Sequence, residues 1–242
     1  MTASSAWPST ADLPDPSFVA MACFWMQDPA EWLLGFIWTA YDDMCTQPPW
    51  IERRDLERSI TQLLDQRIRK AMTGFEPFYI QHGPYEHETM AAPPAQPPAY
   101  DLAFVLLADE RVMWPLEAKV LETPGTLAQY RNDVRDQFLT CRYAPFSSSG
   151  AMLGYLLSGT AIDALNLLAA KLGCILETVS NFPTRPHRVS HHIRNVPSGK
   201  AYPKAFGCHH LILEYPGLRR YRAPTSSTGA NEEGRDSNGE LS

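Results

Sequence analysis

Tyr100-Asp101-Leu102-Ala103-Phe104-Val105-Leu106-Leu107-Ala108-Asp109-Glu110-Arg111-Val112-Met113-Trp114-Pro115-Leu116-Glu117-Ala118-Lys119-Val120 is the stretch on which the architecture turns. Two apolar runs flank one polar break, Ala108-Asp109-Glu110, which predicts two strands joined by a short hairpin. A turn centred on Asp109 pairs residues whose numbers sum to about 218, placing Asp101 opposite Glu117 to within one residue. Pro115 must then occupy a position that donates no ladder hydrogen bond, or a bulge. Strand side chains alternate, so Glu117 and Lys119 share one face while Ala118 points to the other.

Upstream, Asp28 is a good N-cap and Pro29 suits a first helical position, predicting a helix over 29–44. That helix carries Trp32, Leu33, Leu34, Phe36, Ile37, Trp38 and Tyr41 and is apolar nearly all round. It must therefore be buried, the favoured reading, or pressed on a protein partner or a second copy of the chain. A second helix is expected over 51–72, with Leu56, Ile60, Leu63, Leu64 and Ile68 at helical spacing, ended by Gly74 and Pro77. Phe78–Ile80 reads as a strand. The Pro-rich run Ala91-Ala92-Pro93-Pro94-Ala95-Gln96-Pro97-Pro98 reads as a connector.

Downstream, 126–138 looks helical, 151–157 a strand, 160–172 a helix, and 188–194 and 209–215 later strands. The order describes a mixed α/β domain over 17–222, with disordered ends at 1–16 and 223–242. Of the 242 residues 44% are hydrophobic and 20% charged, enough apolar material for a real core. The five cysteines (Cys23, Cys45, Cys141, Cys174, Cys208) form no CxxC pair, and no basic n-region marks a signal peptide. A reducing, cytoplasmic setting is the expectation. The most apolar stretch, 17–26, falls short of the roughly 20 residues a membrane span requires.

Two carboxylates held close repel unless something positive lies between them. A hard divalent cation such as Mg²⁺ or Mn²⁺ meets that need at Asp101 and Glu117, leaving other positions for water and substrate phosphate. Lys119 is then placed to orient or deprotonate an attacking water, or to steady charge developing on phosphate.

At these residues the chain resembles the PD-(D/E)xK nuclease superfamily, whose signature is an acid, a variable gap and Glu-x-Lys on the next strand. Here that is Asp101 with Glu117-Ala118-Lys119, and Tyr100 precedes the acid where the motif has Pro. The resemblance spans roughly 51–160. It implies a restriction-endonuclease-like mixed sheet flanked by helices, with the apolar N-terminal helix as an addition. It implies metal-dependent hydrolysis of phosphodiester bonds, in DNA before RNA, in the setting of prokaryotic DNA repair or defence against foreign DNA. It further implies an acid from the preceding helix, Glu57 with Glu52 as the fallback. Polar residues opening the next helix, Gln129-Tyr130-Arg131, would touch substrate.

The charges are unevenly spread: 1–50 holds six acids and no Lys or Arg, whereas 180–222 holds eight basic residues and only Glu214. With Tyr202 and Phe206 between its cations, the region carrying Arg188, Arg194, Lys200 and Lys204 reads as a surface that tracks phosphates and stacks bases. Strand alternation puts His187 and His191 on one face and His192 on the other, which disfavours zinc at His187, His191, His192, Cys208, His209 and His210. No GxSxG, P-loop or GxGxxG occurs. The alternative to an enzyme is a non-catalytic nuclease-like subunit that docks a protein or nucleic acid.

Overall fold

The computed structural model describes residues 30–46, 55–89, 97–216 and 218. Asp28, Pro29, Glu52, Cys23 and both expected disordered ends lie outside the described residues, as does most of the Pro-rich connector. The elements in chain order are α1 (Ala30–Thr46), α2 (Leu56–Ala71), β1 (Phe78–His82), β2 (Leu102–Leu106), β3 (Met113–Leu121), α3 (Ala128–Asp133), β4 (Ser149–Leu156), α4 (Ala161–Leu172), β5 (Glu177–Thr178), β6 (His187–Ile193) and β7 (Ala205–Glu214). A π-helical turn, Val134–Phe138, extends α3.

The strands form one mixed seven-stranded sheet in the order β1-β2-β3-β4-β7-β6-β5. β3, β4 and β7 run parallel at its centre, and antiparallel pairs flank them. The hairpin register is the one read from the sequence: Leu102, Ala103, Phe104 and Val105 face Leu116, Pro115, Trp114 and Met113. Leu106 N donates to Val112 O at 2.9 Å, so ladder bonds fall at the even-numbered pairs and Pro115 occupies a non-donating position.

Strand alternation divides the core into two layers. Leu102, Phe104, Leu106, Trp114, Leu116 and Ala118 pack under α1 and α2, while Ala103, Val105, Met113 and Leu121 pack under α3 and α4. Glu117 and Lys119 therefore project toward the α3 side. Gly150 and Gly154 permit this density in β4. A Cβ on Gly154 would lie 2.7 Å from Ile212 Cδ1 and 2.8 Å from Leu121 Cδ1.

α1 is a core element. Leu33, Leu34, Ile37, Trp38, Ala40 and Met44 are buried, and only Trp32 of its large residues is substantially exposed. Burial explains the all-round apolar sequence, and Trp32, Phe36 and Trp38 do not form a joint exposed patch. At α4, Thr160 Oγ1 accepts the Asp163 N–H, and Gly173, at φ 70°, supplies the left-handed C-cap. No helix among the described residues is long and apolar enough to cross a membrane. Cys45, Cys141, Cys174 and Cys208 are free thiols.

Candidate metal and phosphodiester site

β3 outruns β2, and this overhang builds the site. Ladder bonds at the even pairs mean that the N–H groups of Ala118 and Val120 point toward the place where β2 would continue. Instead, β2 ends as Tyr100 N turns away to bond Pro84 O at 3.0 Å. Two carboxylates take over. Asp101 Oδ2 accepts the Ala118 N–H at 2.7 Å, and Glu57 Oε2, from the first turn of α2, accepts the Val120 N–H at 3.0 Å. A buried backbone donor left bare would cost about 1–3 kcal/mol, so both acids have a structural reason to be there.

The remaining oxygens converge on Lys119. Its Nζ donates to Glu117 Oε1 at 2.8 Å and to Ala118 O at 2.7 Å. Glu57 Oε1 stands 3.6 Å away, Asp101 Oδ2 3.8 Å and Asp133 Oδ2 3.3 Å, the last without hydrogen-bond alignment. Four carboxylates thus surround one ammonium.

Burial works against the Lys119 charge, but Glu117, Asp101 and Glu57 outweigh it and hold its pKa above the ordinary lysine range. Glu117 is 7% exposed. Burial first, then the charge of Asp101, pushes its carboxyl up to about 8 against the pull of Lys119. Burial likewise raises Glu57 and Asp133. Tyr143, tied to Ala99 O at 2.6 Å, feels the same charges.

The donor set suits a hard cation in its chemistry: all of it is oxygen, and Glu117 Oε2 is buried without a hydrogen-bond partner. The space among the carboxylates is filled by the Lys119 ammonium. Among the described residues, no group of three or more His, Cys, Asp or Glu side chains is arranged to hold a metal. Beside the cluster opens a cleft of about 510 Å³, lined by Asp55, Glu57, Arg58, His82, Gly83, Ala99, Tyr100 and Asp101.

The structure thus brings together Glu57, Asp101, Glu117 and Lys119. Of the expected substrate contacts, Tyr130 and Arg194 are buried in the fold. Tyr130, fully buried, belongs to the core: its hydroxyl bonds Met152 O at 3.2 Å and His210 Nδ1 at 3.1 Å, so it is unavailable to substrate. Gln129 is exposed on α3, and Arg131 donates to Asn132.

Arg194 is 3% exposed and donates to the carbonyls of Ala144, Ser147 and Pro203, which makes it a loop anchor rather than a phosphate contact. Lys200 pairs with Glu88 at 2.8 Å, and Arg185 pairs with Asp42. Arg188 is half-buried and donates to His187 O. Among the described residues the basic stretch is therefore not a continuous cationic surface. Its strands instead line a separate cleft of about 610 Å³ that includes His191, His192, His209 and Glu31.

His187, His192, His209 and His210 reach hydrogen-bond partners within the fold, while His187 Nδ1 is buried without one. His187 Nε2 meets His209 Nδ1 at 3.1 Å, and Ser190 Oγ bonds His210 Nε2 at 2.8 Å.

Asp133 was not among the residues singled out from the sequence. Its signal was available: the inward stripe Tyr130, Val134, Phe138 has Asp133 on its border, at the start of the π-helical turn. No family model, curated protein or solved structure matches the chain.

Proposed function

We propose that this chain is a metal-dependent nuclease that hydrolyses phosphodiester bonds in DNA, built on a restriction-endonuclease-like fold. The observation that carries the reading is the convergence of Asp101, Glu117 and Lys119 across one hairpin, with Glu117 Oε2 buried and unpartnered. Asp101 and Glu117 would hold Mg²⁺ or Mn²⁺, with Glu57 completing the acidic cluster. A bound divalent cation supplies Lewis-acid stabilisation of phosphate charge and a more acidic bound water.

The chain's own groups do the rest. Lys119, kept protonated by its carboxylates, donates hydrogen bonds and stabilises negative charge rather than accepting a proton. Glu57 and Asp101, tethered to backbone N–H groups, fix where that ammonium sits. The sheet centre, β3-β4-β7 with helices on both faces, supports the fold assignment.

One observation favours a second reading, a non-catalytic nuclease-like subunit. The ammonium occupies the space between the acids, and two of those acids already serve as backbone caps. Plasmid and single-stranded DNA incubated with Mg²⁺ or Mn²⁺, against EDTA, separates the two. The nuclease reading expects cleavage that EDTA and Lys119→Ala both abolish. Equal activity in wild type and Lys119→Ala defeats it. Calorimetric titration of Mn²⁺ should show binding that Asp101→Ala removes, whereas the subunit reading expects none.

A further inference from the structure

The acidic cluster has four carboxylates and one lysine, so an approaching phosphate meets net negative charge. A substrate strand needs a cation at the mouth of the site. The cleft beside Glu57 and Asp101 has one in Arg58, which is exposed, stands in the first turn of α2 and forms no ion pair with a described residue. The other cations of that helix are engaged: Arg67 and Lys70 pair with Asp43, and Arg69 with Asp65. Arg111, Arg185 and Lys200 are paired with carboxylates elsewhere, and Arg194 is buried.

The same cleft is lined by His82 and Gly83, and two residues on stands Tyr85, 46% exposed and bridged to the cleft residue Ala99. An exposed guanidinium lining a cleft and an exposed aromatic ring close in the chain to its lining residue Gly83 and bridged to Ala99 are the kinds of group that hold a phosphate and stack a base. A duplex binder making 6–10 phosphate contacts needs a broad cationic face, and among the described residues lining this cleft Arg58 is the one Lys or Arg.

We infer that the cleft between α2 and the β1–β2 connection admits a single DNA strand, with Arg58 on its phosphate and Tyr85 against a base. This rests on the reading of the acidic cluster as a phosphodiester site. It assigns strand recognition to residues outside the basic stretch 185–204.

The probe is a fluorescent oligothymidylate longer than the roughly 4–16 nucleotides that single-strand binders cover, compared with a blunt duplex of equal length. Anisotropy is read in Ca²⁺, a hard cation of the same charge as Mg²⁺, and strand cleavage is read separately in Mg²⁺. Arg58→Glu should weaken strand binding roughly tenfold and lower the salt slope by about 0.7, the loss of one phosphate contact. Arg58→Lys should restore most of it. Tyr85→Ala should weaken binding by a similar factor, and Tyr85→Trp should retain it.

Tighter binding of the duplex than of the strand overturns the inference. So does a larger loss from Arg188→Glu with Lys204→Glu than from Arg58→Glu, or absence of strand binding by the wild type. Cleavage in Mg²⁺ that ignores Arg58 and Tyr85 overturns it while leaving the nuclease reading intact. Strand binding that depends on both, without cleavage, upholds it and removes the catalytic claim instead.

Discussion

Glu57 Oε2 accepts the backbone N–H of Val120 at 3.0 Å, fastening α2 to the strand that carries Glu117 and Lys119. Its other oxygen faces Lys119 at 3.6 Å, so one side chain joins scaffold to site. The two duties come apart by substitution. Glu57→Gln keeps an acceptor for Val120 and should change stability by less than about 1 kcal/mol. It should also lower metal-dependent cleavage on the order of tenfold or more, because charge at the cluster is lost. Glu57→Ala should lose both, with about 1–3 kcal/mol from the bare N–H, measured by thermal unfolding beside the cleavage assay.

On the proposed metal-site reading, Glu117 sets the pH behaviour of cation binding. Its carboxyl titrates near 4.5 in an unfolded chain and at about 8 in the folded, metal-free protein, because burial and then Asp101 disfavour the anion. Between those values the folded state holds the extra proton, so the metal-free protein should lose stability as pH rises from 4.5 to 8. Binding a cation requires the carboxylate and releases that proton. Mn²⁺ affinity should therefore climb by up to tenfold per pH unit below 8 and level off above it. Titration calorimetry in buffers of different ionisation enthalpy reads the released proton, and Glu117→Gln should abolish it.

Acid lability has a separate source. Burial depresses His187 to about 2, His209 to about 4 and His210 to about 3, all below the ordinary 6.5. In that window the unfolded chain binds more protons than the folded one. The stability these neutral imidazoles confer is complete above pH 6.5 and is lost progressively as pH falls from 6.5 toward 2. His210→Gln should lower the melting temperature at pH 7, since it disturbs contacts to Tyr130 and Ser190, yet flatten the slope between pH 6.5 and 4.

Arg194 and Gly154 test the scaffold. Arg194→Ala should cost about 3 kcal/mol by leaving buried carbonyls of Ala144 and Ser147 without their donor. It should not change the salt dependence of DNA binding. Gly154→Ala forces a Cβ against Ile212 and Leu121 and should cost about 1–3 kcal/mol. Urea unfolding measures both.

The hairpin was legible because its evidence is local. One polar break and two apolar runs fix the turn, and period two then fixes which side chains meet, so Asp101 and Glu117 could be placed opposite each other from their numbers. Helix α4 was legible for the same reason, through Thr160 and the apolar spacing behind it. Tyr130 and Arg194 were not. A tyrosine at a helix start and an arginine at a strand end read as polar surface until the tertiary fold brings His210 or three carbonyls to meet them. The basic stretch failed likewise: charge counted along the chain does not register that Asp42 and Glu88, distant in sequence, neutralise Arg185 and Lys200. Asp133 was overlooked because its relation to Lys119 depends on where a helix crosses a strand.

The unequal lengths of β2 and β3 bear on how a family built on this chain would diverge. Asp101 and Glu57 are struts for an overhanging strand end, so on the nuclease reading a descendant that had abandoned chemistry would be under pressure to keep them. Glu117 and Lys119 brace no backbone N–H, and a silent paralogue could shed them once Asp133, which also faces that ammonium, was neutralised with them. Ancestry would be written in the first pair, and working catalysts would be told from relics by the second.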